Sequence, residues 1–170
     1  MGGFSFCSLA DFPDTPETRR KLYDLNSATE LDIPGVDGSY MTYSEFEERV
    51  IGARWFRRAG QRLALDGDTW IGFVAVMLTP DTQGAYNAMT GVIRAYRGRK
   101  IAQALKVMAI CYARQNGAWR IRTNNDSRNA PILAINQKMG YQPQPGKFFL
   151  IRWLRMGIPE EQQDQSLEVT

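Results

Sequence analysis

The pattern of apolar positions predicts six β-strands. In some of them apolar and polar residues alternate, and turn formers such as Asp66-Gly67-Asp68 lie between them. The longest apolar run, Trp70 to Leu78, has the length of a strand and is far too short to cross a membrane. The predicted strands cover residues 4–11, 62–65, 70–78, 86–94, 119–123 and 147–154.

Apolar residues spaced three and four positions apart predict four helices. The clearest has an apolar stripe that begins at Ile101 and ends at Tyr112. A helix-start signal lies at Pro16, and Thr42 with Glu45 forms a capping box for a helix over 43–52. The fourth helix covers residues 129–139. The element order, β-α-α-β-β-β-α-β-α-β, predicts a mixed sheet with helices on its faces, an α/β or α+β fold.

Composition limits the size and the class of the protein. The 170 residues suit one domain, placed at 1–155, followed by an acidic tail over 156–170 that we expect to be flexible. With 44% hydrophobic and 23% charged residues, the chain is neither collagen-like, coiled coil nor disordered. Two cysteines and the absence of a secretory signal predict a reduced, cytoplasmic setting.

The chain contains no histidine. This excludes Ser-His-Asp and Cys-His catalysis and zinc sites that need histidine, and we predict no metal. Any proton transfer must therefore use carboxylate, tyrosine, lysine, cysteine, the main chain or water.

Positive charge is concentrated in one turn. The net charge is +3, and Arg94, Arg97, Arg99 and Lys100 lie together between a predicted strand and a predicted helix, with no acid among them. The start of a helix has unpaired N–H groups and the positive end of the helix dipole, so this turn suits an anion. A solvated basic turn remains the alternative. The dinucleotide and P-loop signatures are both absent.

The same turn resembles the [QR]-x-x-G-x-[GA] signature of the Gcn5-related N-acetyltransferases, whose main-chain amides hold the pyrophosphate of acetyl-CoA. Arg97 takes the first position and Ala102 the last, but Lys100 stands where the family usually has Gly. Lysine is unfavourable there if the residue adopts positive φ, and acceptable if it already belongs to the first helical turn.

A second stretch strengthens the resemblance. The family follows with a loop asparagine and a helix that closes on Gly and an aromatic residue, and Asn129, Ile135 and Gly140-Tyr141 match this pattern. The resemblance covers residues 4–154 in element order and 86–141 in motifs. The motif sequences resemble the mycothiol-synthase-like branch more than the ribosomal-protein acetyltransferases.

The resemblance implies a mostly antiparallel mixed sheet of about six to seven strands, flanked by about four helices. Its two central parallel strands, 86–94 and 119–123, would splay apart to admit acetyl-CoA, and the acetyl group would pass directly to a primary amine. The residues implied to contact the cosubstrate are Val92, Ile93, Arg97, Gly98, Arg99, Lys100, Ile101, Ala102, Asn129 and Asn136.

The catalytic groups are less clear from the resemblance. Asn136 stands where the family often has a tyrosine acid, and its amide can offer a hydrogen bond to sulfur but no proton. Residues 82–96 contain no carboxylate for the usual base, which leaves Tyr86 as a catalytic candidate. The loop between the first two helices usually lines the acceptor entrance, where Glu30 also lies. The acceptor-binding candidates are Asp32, Asp37, Tyr40 and Asn87.

These features predict a small-molecule or peptide amine as the acceptor, no membrane partner and a homodimer. Two other functions remain open. The missing tyrosine and glutamate favour a CoA-binding sensor or scaffold with little activity. A nucleic-acid binder is the second, and it is disfavoured because the chain has no evident recognition helix.

Overall fold

Among the residues that the structure describes, a five-stranded mixed sheet forms the centre of the molecule. The computed structural model describes residues 3–31, 33, 40–79, 81 and 83–146. Within these ranges the strand order is β1-β2-β3-β4-β5, with antiparallel neighbours except for the parallel pair β4 and β5. The strands are β1 (Ser5–Ser8), β2 (Gln61–Asp66), β3 (Thr69–Thr79), β4 (Gly84–Val92) and β5 (Arg120–Arg122).

This sheet confirms the predicted fold class, with fewer strands in the described part than the six to seven expected. The predicted last strand, 147–154, and the tail, 156–170, lie outside the described residues. The strand predicted over 86–94 ends at Val92, because a 3₁₀ turn, Arg94–Tyr96, begins before the next helix.

Within the described ranges four α-helices flank the sheet, and local capping explains where the first two begin. Thr15 accepts a hydrogen bond from the Thr18 amide at the start of α1, and Thr42 with Glu45 forms the predicted capping box of α2. The helix predicted over 43–52 is α-helical only at first and continues as a π-helical turn, Glu47–Ile51. The α-helices are α1 (Pro16–Glu30), α2 (Tyr43–Phe46), α3 (Ile101–Gln115) and α4 (Ala130–Lys138).

The core lies on both faces of the sheet. Leu105 and Ala109 of α3 pack on one face, and Leu22 of α1 with Phe46 of α2 packs on the other. Because β3 lies between these layers, it is buried on both sides and its apolar residues run without polar interruption. None of the described helices is long and apolar enough to cross a membrane.

A β-bulge shapes the middle of β4. Ala75 pairs with Met89 and Val76 with Asn87, so Ala88 is the extra residue. The Asn87 side chain, 1% exposed, fixes this irregularity because its Nδ2 donates to the carbonyls of Met89 (2.7 Å) and Ala75 (3.3 Å). Asn87 therefore supports the strand from inside, and its contact with the acceptor stays a prediction.

Candidate functional site

The parallel strands β4 and β5 separate beyond their last shared pair, Tyr86 and Arg122. β4 continues to Val92 while β5 ends. The Thr123 hydroxyl donates to the Asn87 carbonyl at 3.0 Å and closes the base of the resulting gap. We call this gap, between Ala88–Val92 and the chain that follows β5, the opening. Tyr86, half-buried, lies at its base.

The turn that leads from β4 into α3 presents main-chain amides. Gly98 adopts φ 77° and Lys100 adopts φ 64°, both in the left-handed region. Lys100 is the N-cap of α3, and no side chain caps this helix end. The amides of Ile101, Ala102 and Gln103 in the first turn of α3 thus have no partner within the helix, and they lie at the positive end of its dipole. This geometry is suited to binding an anion.

Lys100 is in the unfavourable one of the two conformations considered from sequence. Its Cβ strains a left-handed backbone, which costs about 1–2 kcal/mol for a residue other than Gly. Lys100→Gly is expected to raise the free energy of unfolding by about 0.5–1 kcal/mol, since the larger entropy of unfolded Gly offsets part of the gain. Urea unfolding of Lys100→Ala, which keeps the Cβ, is the control. Equal stability of the two variants would contradict this account.

All four cations of the turn are exposed, and the contacts of Arg97 and Arg99 within the molecule are clear. Arg97 Nε donates to the Val92 carbonyl at 3.0 Å, so the guanidinium folds back over the end of β4. The Arg99 guanidinium lies over the rings of Tyr96, at 5.3 Å, and Phe4, at 6.0 Å. The turn therefore combines local positive charge with a fixed backbone, as the sequence predicts for an anion site.

The predicted main-chain contacts at the end of β4 divide between the two sides of the strand. The Ile93 amide donates to the Ile71 carbonyl at 2.9 Å, so it faces β3. Because successive amides of a strand point to opposite sides, the Val92 amide faces the opening. Val92 is therefore the better candidate of the two for pairing with a ligand.

Two asparagines of α4 line the far side of the opening. Asn129 is the N-cap residue of α4, yet its side chain makes no capping hydrogen bond, which leaves its amide for a ligand. Asn136 is 6% exposed, and its Nδ2 donates to Asn125 Oδ1 at 2.7 Å. Its own Oδ1 is buried without a hydrogen-bond partner. The Asn125 contact joins α4 to the chain that follows β5.

Comparison with known proteins decides the family. The model of the acetyltransferase (GNAT) family matches residues 20–141, which is more than half of the chain. The chain belongs to the GNAT family. The resemblance inferred from the turn and from Asn129 is thereby confirmed.

The curated relatives of this GNAT protein include the mycothiol acetyltransferase of Corynebacterium glutamicum strain R. The two are 24% identical over 140 residues, which cover 82% of this chain and 47% of the relative. The chain thus spans about half the length of the curated relatives it matches, and they agree with the predicted mycothiol-synthase-like branch.

Solved structures share the fold at low sequence identity. The ribosomal-protein-S18-alanine N-acetyltransferase of Escherichia coli has a TM-score of 0.64 at 11% identity, over 84% of this chain and 80% of its own. An aminoglycoside acetyltransferase from an uncultured soil metagenomic sample, solved with sisomicin, has a TM-score of 0.63 at 13% identity. The match covers 89% of this chain and 96% of that one. These likenesses support the GNAT fold.

The end of α1 packs directly against β4 on the face opposite α3. A Cβ at Gly91 would lie 2.5 Å from Thr29 Oγ1, so α1 approaches this GNAT strand as closely as a glycine allows. Glu30 follows Thr29 and is half-buried, and burial raises the pKa of its carboxyl. Burial, the Glu30 charge and Tyr23 together raise the pKa of Tyr40. Asp32 and Asp37 lie outside the described residues.

A cavity of about 300 Å³ lies elsewhere, between α1 and the start of β3. Its lining includes Lys21, Asp24, Asp68 and Trp70, and it shares Ile93 with the residues predicted to contact the cosubstrate. It lies on the α1 face of the sheet, away from the first amides of α3. We therefore do not assign it to the GNAT opening.

Sequence reasoning missed Lys106 and Asn125. Lys106 is 1% exposed although it is charged, and it lies against the ring of Tyr141. The available signal was its position beside Leu105, within the apolar part of α3. Asn125 carried no signal, because its role depends on the contact with Asn136 across the loop.

Proposed function

We propose that this protein is an acetyl-CoA-dependent N-acetyltransferase that transfers the acetyl group directly to a primary amine. The observation that carries the proposal is the uncapped start of α3, which opens beside the gap between β4 and β5. Acetyl-CoA brings a diphosphate, which suits the free amides, and a thioester carbonyl that an amine can attack.

Residues of the turn, of β4 and of the start of α4 would hold the cosubstrate. The amides of the segment 97–102 bind the diphosphate, with Arg97 and Arg99 adding positive charge. The Val92 amide pairs with the extended arm, and Asn129 donates to it from the other side of the opening. Amides at the Ala88 bulge, which β3 does not pair, are the candidates for stabilising negative charge on the carbonyl oxygen.

Glu30 is our candidate for the acceptor side of the reaction. Its carboxylate lies near the position where α1 meets Gly91 of β4, attracts an ammonium, and can take the proton that the amine must lose. The raised pKa brings the carboxyl closer to the operating range of a base at neutral pH. Tyr40 would line the same entrance, and Tyr86 at the base of the opening remains a catalytic candidate.

The acceptor remains to be identified among primary amines. A small-molecule or peptide amine is proposed, and the deacetylated form of mycothiol belongs in the panel because a curated relative is a mycothiol acetyltransferase. The homodimer and the cytoplasmic location stay predictions.

Two measurements test the proposal. Calorimetry with acetyl-CoA is expected to show saturable binding at one site per chain. Release of free thiol is then followed with a panel of amines: deacetylated mycothiol, polyamines, aminoglycosides, and peptides with free N-termini or lysines. No binding of acetyl-CoA would refute the function.

A sensor or scaffold that binds CoA without turnover is the second candidate. Asn136 favours it, because an amide cannot supply the proton that a tyrosine at this position would give. Acetyl-CoA binding without thiol release across the whole amine panel would support this alternative over the enzyme.

A further inference from the structure

A cation that pairs with no carboxylate of the described residues is buried between α3 and the end of α4. Lys106 is 1% exposed, and its Nζ lies 5.1 Å from the centroid of the Tyr141 ring. Within the described ranges no carboxylate pairs with it, and burial alone lowers its pKa to about 8. It is therefore mostly an ammonium at pH 7. Burying a charge without an ionic partner lowers the stability of the fold, so a purely structural role does not explain this lysine.

Two polar groups at and just beyond the end of α4, one of them on the ring that contacts Lys106, are also buried with unused hydrogen-bonding capacity. The Asn136 Oδ1 and the Tyr141 hydroxyl both lack a partner. The two residues are linked, since the Tyr141 amide donates to the Asn136 carbonyl at 3.0 Å. Burial raises the pKa of Tyr141 to about 12, so its hydroxyl is neutral and no anion faces Lys106 from this side. Buried groups in folded proteins are normally satisfied, and such a cluster points to a missing polar ligand.

The cluster lies between α3 and α4, and Asn136 connects it to the side of the opening. α3 connects two parallel strands, so it runs back along β4 from the turn. Lys106 lies five residues after Ile101, which is roughly 7.5 Å along the helix axis. Asn136 meets Asn125 just after β5, at the side of the opening. A ligand with its diphosphate at the turn therefore has its other, reacting end on the same side as Lys106.

We propose that the Lys106 ammonium pairs with the thiolate that leaves when the acetyl group is transferred. The assignment rests on the proposed function. The new N–C bond forms as the C–S bond breaks, and the electron pair leaves on sulfur, opposite the Nζ cation. The acceptor nitrogen gives up its proton to a base or to water, and the thiolate takes up a proton from solvent on release. Lys106 thus supplies charge in place of the tyrosine proton that Asn136 cannot give.

The ionisation of bound CoA tests this pairing without an acceptor. The thiolate absorbance of the CoA complex is titrated against pH, with the complex of desulfo-CoA as the blank for tyrosine ionisation. A cation within a few ångströms is expected to give bound CoA at least about tenfold more thiolate at pH 8 than free CoA has. Lys106→Met should abolish this enrichment, and Lys106→Arg should keep part of it. Lys138→Met, which removes an exposed lysine of α4, should leave it unchanged.

The outcomes separate the two proposals. Binding of CoA to the wild type and to Lys106→Met with the same thiolate fraction would overturn the role of Lys106 and leave the proposed function standing. Failure of the wild type to bind CoA would overturn both. Calorimetry at a pH where the thiol is protonated checks that Lys106→Met still binds CoA with similar affinity.

Discussion

Replacing Lys106 with Met is expected to raise the free energy of unfolding at pH 7 by about 3 kcal/mol. The pKa of this lysine falls from 10.5 to about 8 on folding, because burial disfavours the charged form. Each tenfold change in proton affinity corresponds to about 1.4 kcal/mol, which sets the size of the effect. Met fills a similar volume without a charge, although it gives up the contact of the cation with the Tyr141 ring.

The pH dependence of this difference has a defined sign. The folded protein binds this proton less tightly than the unfolded chain does, so the penalty is complete below about pH 8. It decreases as pH rises towards 10.5, where both states lose the proton. Urea unfolding should therefore show that the difference in free energy of unfolding between Lys106→Met and the wild type decreases above pH 8. Lys138→Met serves as the control and should show no comparable gain.

A variant less stable than the wild type at both ends of this pH range would contradict the account. It would mean that the lysine stabilises the packing of α3 on Tyr141 and carries no penalty of burial. A more stable variant that has lost its effect on CoA ionisation is instead the usual signature of a group kept for function.

Gly98→Val is expected to weaken acetyl-CoA binding by about tenfold or more, equivalent to about 1.4 kcal/mol. No atom lies within 4 Å of a Cβ at this position, so space is not the obstacle. The obstacle is φ of 77°, which a β-branched residue rarely adopts. The turn must then change its backbone, and the amides from Arg97 to Ala102 no longer converge.

Gly117 offers a matched control at the other end of the same helix. It adopts φ 78°, and a Cβ there would also meet nothing within 4 Å. Gly117→Val and Gly98→Val should each cost about 1–2 kcal/mol of stability. Calorimetry should show a loss of acetyl-CoA affinity in Gly98→Val alone. An equal loss in both variants, or in neither, would place the diphosphate away from the turn.

Local signals predicted most of the fold. Three helices were marked by signals that depend on interactions between residues close in sequence. These signals are the capping box at Thr42, the proline at the start of α1 and the apolar stripe of α3. The bulge at Ala88 had no local signal, since it depends on the register between two strands. We predicted Asn87 near the acceptor because the sequence does not show which main-chain carbonyls its side-chain amide contacts.

The residues of the candidate site also differ in whether a local sequence signal could reveal them. The anion-binding turn is continuous in sequence and could be recognised from its charge and glycine. Lys106 could not, because a lysine in a helix is ordinarily exposed, and only the packing of Tyr141 over it reveals the burial. The conformation of Lys100 was left open between two alternatives, and its φ of 64° decides it.

The close approach of Thr29 to Gly91 has a consequence for how acceptor choice can diverge among such proteins. The Thr29 side chain lies directly against the Gly91 main chain, so α1 cannot move closer to β4 to reshape the entrance. In the proposed enzyme, the wall facing the amine is therefore a rigid frame. New acceptors must be accommodated by exchanging side chains at its rim, at Glu30 and Tyr40 among others, while the frame itself stays unchanged.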